Sequence, residues 1–391
     1  MRLRVGQAGR DGAVALTERA EAAGALSTLA RPRLTGSAGA AQVEQELRGR
    51  FEALGYEIRE IRFEFSTWPG RWGVPVVGAV LAAATAAAAL LLVRGAAGQA
   101  ALVLAAAGAA VLGMFRSARQ AIARLPWGRT RSSNWLVHRP GVRPRYVVMA
   151  HRDSKSQPLP TLGRITAGAL AAGGWALMLV LSGLTALDAG WGATGVAMAA
   201  AGAGLAGGAL LMLCGVGNLS PGALDNASGL AALLALARAE RGRGDVAFLI
   251  TDGEELGLAG AEALAPHMPA VDGIINLDGL DDEGPFRIAE SYGWLRRRGK
   301  APRLAAALLG AAGELGLTIE RGGVPAGIMV DHIPFARAGH PAVTLMRGTF
   351  RSLLRVHRPA DTASRLTGDG VAAGTRLVSA ALARLCGPAP P

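Results

Sequence analysis

The sequence predicts an α/β fold, a mixed and mostly parallel central sheet flanked by helices, interrupted by four transmembrane helices in two hairpins. Three observations predict it. Short apolar runs of strand length alternate with amphipathic helical segments, the pattern of strands joined by covering helices. Four spans of about 20 residues carry almost no charge, and each is long enough to cross a bilayer. The apolar strands end in histidines or carboxylates, at the place where open α/β sheets gather ligands.

In chain order, residues 1–70 open the α/β domain. Ala41–Leu54 has the apolar spacing of a helix, and Tyr56–Phe65 (YEIREIRFEF) alternates as a strand with one buried face. Residues 71–116 form the first hairpin, with spans Trp72–Val93 and Ala96–Phe115 joined at Arg94. A helix the length of the first would reach about 33 Å. Residues 117–164 return to the domain with two strands, SNWLVHRP and RYVVMAHRDS, joined at the turn PGVRP. Residues 165–217 form the second hairpin, with spans Ile165–Leu187 and Ala189–Gly217 about Asp188. Residues 218–391 complete the domain, with helices at Ser228–Ala239 and Leu304–Leu315 and strands at Ala247–Ile250 and Ile274–Leu277. The Gly and Ala content of the spans suits close small-residue packing. Arg71, Arg116, Arg119, Arg124, Arg129, Arg131 and Arg164 lie on the side of the bulk of the chain, so the positive-inside rule predicts an integral membrane protein with its main domain cytoplasmic.

Composition agrees. The chain of 391 residues is only 18% charged, with a mean hydropathy of +0.30. Its net charge of +12 is carried by arginine, except for Lys155 and Lys300. No basic cluster interleaved with aromatics offers a base-stacking platform, so nucleic acid is not expected and anionic lipid is the expected partner. Cys214 and Cys386 form no metal or redox motif. The N-terminal stretch lacks the apolar core of a signal peptide.

The strand ends carry the chemistry. His151 and Asp153 follow YVVMA, Asp225 lies in PGALDNASG, Glu254 and Glu255 follow AFLIT, Asp278 follows IINL, and His357 lies in VHRPADT. Unpartnered carboxylates at the mouths of core strands are costly, so something compensates them. Two imidazoles and three carboxylates suit two zinc ions with one carboxylate shared between them.

The ordered set H-x-D, G-A-x-D-N-A-S-G, D-G-E-E-x-G-L-x-G, N-L-D, D-H-x-P-F-x-x-x-G-x-P-A and H-x-P-x-D-T resembles metallopeptidase family 28. That family comprises co-catalytic zinc aminopeptidases with carboxypeptidase and glutaminyl cyclase relatives. The resemblance takes in Arg33–Phe65 and most of the chain outside the four spans. It implies one zinc on His151 and Asp278, a second on Glu255 and His357, and Asp225 bridging them. It further implies Asp153 orienting His151, and Glu254 as the general base that activates water. Asp252 is expected to be structural. Leu224, Gly279 and Arg358 depart from the family's usual residues, which bears on substrate preference. DHIPF at Asp331–Phe335 and HRDSK at His151–Lys155 also resemble glutaminyl cyclases, whereas DNASG, HRPADT and Val356 before the last histidine are peptidase-like. The expected activity is therefore exopeptidase, most of all aminopeptidase, with a cyclase or a non-catalytic membrane scaffold as alternatives.

With YEIREIRFEF, SNWLVHRP and RYVVMAHRDS taken as successive antiparallel neighbours, both hairpins are expected to leave from the sheet edge that carries the ligands. The active site would then face the membrane surface and take peptide or membrane-associated peptide substrates. The basic run Trp294–Arg303 offers a contact for lipid headgroups or acidic substrate, or a solvated loop. The acidic run Asp278–Gly284 offers an ammonium site, or solvated turn residues.

Overall fold

The computed structural model describes residues 2–187, 194–293, 298–299, 301–324 and 328–387. The hairpin tip at Asp188, together with Trp294–Arg297 and Lys300 of the basic run, lies outside them. Among the described residues the chain forms twelve α-helices and eight strands. In order these are α1 (Arg2–Leu29), α2 (Ala38–Ala53), β1 (Glu57–Ser66), α3 (Trp68–Val93), α4 (Ala97–Arg124), β2 (Arg129–His138) and β3 (Tyr146–His151). There follow α5 (Thr161–Ala186), α6 (Thr194–Met212), α7 (Ser228–Ala239), β4 (Val246–Thr251), α8 (Ala259–Leu264), β5 (Gly273–Leu280) and β6 (Phe286–Ser291). The last are α9 (Pro302–Leu315), β7 (Ile319–Gly323), α10 (His332–Arg337), β8 (Ala342–Arg347), α11 (Phe350–Arg355) and α12 (Asp369–Cys386). They divide into two compact units, Met1–Glu64 with Thr130–Ser156 and Asn218–Pro391, and Phe65–Arg129 with Gln157–Gly217.

The first unit is built on one sheet of order β1-β2-β4-β3-β5-β8-β6-β7. Its central strands β4, β3, β5 and β8 run parallel, while β2 and β6 pair antiparallel with β4 and β8. The sheet is thus mixed and mostly parallel. Alternation along the strands sends Val148, Ala150, Phe248, Ile250 and Ile275 to one apolar core with α1, α2, α7, α9 and α12. Val147, Met149, Leu249 and Ile274 go to a second core with α8 and α10. Each fully buried Leu, Ile or Phe contributes about 1.5–3 kcal/mol, so the central strands are the rigid frame of the unit.

One expectation is corrected: β2 and β3 are not sheet neighbours, because β4 lies between them. All six residues of β3 are buried, so it needs a partner on each edge and finds β4 and β5. β2 keeps exposed positions and sits nearer the sheet margin. Since β2 is antiparallel to β4, its start still lies beyond the carboxyl end of β4, where the Ser132 hydroxyl donates to Asp252 Oδ2 at 2.5 Å.

The second unit is four helices, α3 to α6, each long and apolar enough to cross a membrane by length and composition. α4 continues nine residues past the expected end at Phe115, through Arg116, Arg119 and Arg124, and stops before Pro126. Backbones approach closely at α6. A Cβ on Gly207 would meet the backbone of Ala167 and Ala171 in α5, and one on Gly208 the Gly78 carbonyl and Ala82 in α3. Buried hydroxyls bond within their own helix, Thr85 to the Leu81 carbonyl and Ser182 to the Met178 carbonyl, both at 2.7 Å. The outward faces are apolar too, with Leu90, Leu102, Phe115, Val180 and Met198 exposed. A helix apolar all round is one that is buried, in the core of a large protein or in a bilayer.

Candidate metal centre

Five segments of the first unit converge at the carboxyl ends of its parallel strands. His151 closes β3, Glu254 and Glu255 follow β4, Asp278 lies near the end of β5, Asp225 precedes α7, and His357 follows α11. Two donor groups result, His151 with Asp225 and Asp278, and Asp225 with Glu255 and His357, the atoms of each lying within 4.8 Å of one another.

His151 Nε2 lies 3.1 Å from Asp225 Oδ1 and 3.8 Å from Asp278 Oδ1. It is buried and makes a hydrogen bond with neither, so the three atoms aim at a common point rather than at each other. Across Asp225, His357 Nε2 lies 2.9 Å from Oδ2 and 3.2 Å from Glu255 Oε2. An orphaned ring nitrogen among borderline and hard donors fits zinc, with Asp225 common to both groups.

Neighbouring side chains fix these donors. His151 Nδ1 is 3.2 Å from the Asp153 carbonyl and donates to it, which leaves the lone pair on Nε2. Asp153 thus orients His151 through its backbone, because its carboxylate stands 3.5 Å from the ring and serves another purpose. That carboxylate accepts from the backbone N–H groups of Glu254 (3.2 Å) and Glu255 (3.0 Å). The turn that leads into Glu254 and Glu255 needs Gly253, at φ +72°. Asn226 joins α7 to β5. Its Oδ1 accepts from Gly229 and Gly279, and its Nδ2 donates to the Leu277 carbonyl at 2.8 Å. Gly279 has φ +74° and turns its N–H to Asn226.

Charge completes the design. Burial disfavours the His151 imidazolium, yet Glu254, Asp153, Asp225 and Asp278 outweigh it and hold its pKa well above the usual value. Burial, reinforced by Glu255, Asp278 and Asp331 against the opposing His151, pushes Glu254 well above the carboxylate range. Burial would raise Glu255 as well, but Lys155 and His357 bring it to about 2. Glu254 belongs to neither donor group among the described residues, so two adjacent glutamates sit in opposite electrostatic situations.

Three supporting residues carried no role in the sequence reading. Arg33, fully buried, donates to the carbonyls of Arg152 (2.7 Å), Pro221 (2.5 Å) and Gly222 (2.9 Å), gripping the loop that delivers Asp225. Asp361 accepts from the backbone N–H groups of Leu224 and Asp225, and burial pushes its carboxyl up to about 6. Lys155 Nζ contacts Glu255 Oε2 at 2.7 Å. The motifs that contain them were visible, but contacts over 100 or more residues of separation leave no local signal. The acidic run resolves as structural at two positions. Asp281 pairs with Arg355 and Ser352 just before His357, and Asp282 caps α12 at Gly370.

Residues 209–382 match the model of peptidase family M28. No curated protein is matched by sequence. Among solved structures, the chain is similar to a glutaminyl cyclase of Porphyromonas gingivalis at 14% identity and TM-score 0.54, covering 95% of this chain and 98% of that one. It is also similar to an aminopeptidase from Aneurinibacillus sp. strain AM-1 at 14% identity and TM-score 0.53, over 94% of this chain and 93% of that one. A third is BSAP, a zinc aminopeptidase from Bacillus subtilis, at 14% identity and TM-score 0.54, over 94% of each. The matched residues hold Asp225, Glu254, Glu255, Asp278 and His357, and with the shared fold beside them the chain resembles peptidase family M28.

Proposed function

We propose that the protein is a membrane-embedded, zinc-dependent exopeptidase, an aminopeptidase, with Glu254 as general base. The observation that carries this is the convergence of four donors around Asp225, with the buried Glu254 beside them and outside both groups. One zinc would be held by His151 and Asp278, the other by Glu255 and His357, with Asp225 between. Zinc bound there would polarise the scissile carbonyl and acidify water. Glu254, its pKa raised by burial, takes a proton from the attacking water and delivers it to the leaving amine. Asp153 keeps Glu254 and Glu255 in register by holding both of their backbone N–H groups.

The four apolar helices support an integral membrane protein, and their arginine flanks favour a cytoplasmic catalytic unit. The ends at which the chain leaves and rejoins the first unit, at Thr130, Ser156 and Asn218, fall beside the carboxyl ends of β3 and β4, next to the ligands. There the Leu219 N–H donates to Ser156 Oγ at 2.9 Å, pinning the two ends of the second insertion together. This placement supports an active site facing the membrane surface and a membrane-associated peptide as substrate.

A second reading, glutaminyl cyclase, is favoured by one residue. Asp331 of DHIPF is buried, accepts from the Thr251 hydroxyl at the end of β4, and is pushed up to about 7 by burial. Detergent-purified protein assayed on a panel of aminoacyl-amides and on a Gln-initiated peptide separates the readings. Release of the N-terminal residue that depends on Glu254 supports the peptidase, cyclisation without hydrolysis supports the cyclase, and neither activity leaves a membrane scaffold.

A further inference from the structure

Lysine is the exception in this chain: its 41 basic side chains are arginine except at Lys155 and Lys300. Lys155 touches the metal cluster. Its Nζ lies 2.7 Å from Glu255 Oε2, and its backbone N–H donates to Glu255 Oε1 at 3.2 Å. His357 Nε2 approaches the same Oε2 at 3.2 Å. The oxygen that Glu255 offers to its donor group therefore already carries an ammonium. The contact is nearly dry, with the Lys155 side chain 16% exposed and that of Glu255 1%. His151 faces both Asp225 and Asp278, and the buried Arg33 guanidinium faces Asp225, the carboxylate common to both donor groups.

The two donor groups share Asp225, and with it Arg33, while the Lys155 ammonium sits on Glu255 of the second group. A divalent ion arriving at His151, Asp225 and Asp278 finds the Lys155 ammonium on Glu255, outside its own three donors. One arriving at Asp225, Glu255 and His357 must first move an ammonium off Oε2 and then sit close to it, in a low-dielectric site where like charges repel strongly. The residue type matters. An ammonium is a point charge on a flexible stem and can swing away, whereas a guanidinium would take both Glu255 oxygens in its fork and lock them.

We propose that Lys155 makes the two metal subsites unequal. The subsite of His151, Asp225 and Asp278 fills first and tightly, and that of Asp225, Glu255 and His357 fills only by displacing Lys155 from Glu255. Lys155 is thus an internal competitor that keeps the second ion exchangeable. The inference rests on the metal-centre reading above.

The test is a zinc titration of metal-stripped, full-length protein in detergent, in competition with a chromogenic zinc indicator and without substrate. The wild type should bind in two steps, the second weaker by about tenfold or more. K155M should tighten the second step by about tenfold and leave the first unchanged, while K155R should weaken or abolish the second. Where K155M fails to fold, K155Q carries the same expectation. Two equal sites in the wild type, or superimposable wild-type and K155M isotherms, overturn the role of Lys155 and leave the metal centre standing. No zinc bound by the wild type removes the metal centre itself, and the proposal with it.

Discussion

The two units bury polarity in opposite ways. In the first, charged and amide groups are buried at the sheet edge and held by partners far away in sequence, as Arg33 is by carbonyls at 152, 221 and 222. In the second, buried hydroxyls return to carbonyls one turn back, and helix contact depends on the absence of side chains at glycines. One unit is specified by donors and acceptors that must meet, the other by shapes that must not clash. The candidate site belongs to the first kind of order, because donors that could share an ion must be fixed in direction, whereas an apolar helix bundle needs only to pack.

The largest expected effect strikes the first unit alone. Glu254→Ala should lower the rate of aminoacyl-amide hydrolysis by about 10²–10⁴-fold, the usual contribution of a general base. Zinc content measured by mass spectrometry should be unchanged, because Glu254 stands outside both donor groups. Loss of zinc in this variant would instead make Glu254 a ligand and undo its separation from Glu255.

Next comes the buried cation. Arg33→Met leaves three backbone carbonyls without their donor and removes a positive charge facing Asp225, Asp361 and Asp153. Breaking such an arrangement costs about 3–5 kcal/mol. Denaturant unfolding of the purified protein should show a loss of that size, accompanied by weaker zinc binding. A change under about 1 kcal/mol would mean that the Asp225 loop holds itself.

These residues mark how far sequence reading reached. The strands around YVVMAH and AFLIT were legible because a buried parallel strand is a short apolar run closed by polar residues. The four long apolar helices were legible because runs of about 20 residues with almost no charge stand out from the rest of the chain. Their limits were less so: α4 runs to Arg124, since arginine does not end a helix and proline does. The positions of the donors followed from the order of motifs. Their supports did not, because nothing near Arg33 in sequence announces a partner at Gly222. The adjacency of β2 and β3 was misjudged for a related reason: chain neighbours pair by default, and only the two-sided burial of β3 brings β4 between them.

Acidity offers a third way to separate the units. Burial pushes the Asp252 carboxyl up to about 6 from an ordinary value of 3.8, against the opposing pull of Arg152. Its folded pKa exceeds its unfolded one, so its contribution to stability is fully present below about pH 4 and is lost as pH rises through about 6. A shift of about two units corresponds to roughly 3 kcal/mol. Chelator-stripped wild type should lose melting temperature between pH 4.5 and 7, and Asp252→Asn should flatten part of that fall. A parallel slope in the variant would assign the pH dependence to other buried acids.

The smallest expected effect belongs to the second unit. Gly207 of α6 lies against α5, where a Cβ would meet the Ala171 nitrogen and, at 2.6 Å, the Ala167 carbonyl oxygen. Gly208 is similarly close to α3, whereas a Cβ on Gly168 of α5 would meet nothing within 4 Å. Gly207→Leu forces the two backbones apart, and overpacking of this kind costs about 1–3 kcal/mol. Gly168→Leu adds an apolar side chain to open space and should cost little. The informative readout is the pair of measurements on each variant, melting temperature in detergent beside the zinc isotherm. A lowered melting temperature with an unchanged isotherm in Gly207→Leu, and neither change in Gly168→Leu, would show that shape governs one unit and donor geometry the other. If zinc affinity fell together with helix packing, the donors would depend on the bundle, and the two kinds of order would have to be treated as one.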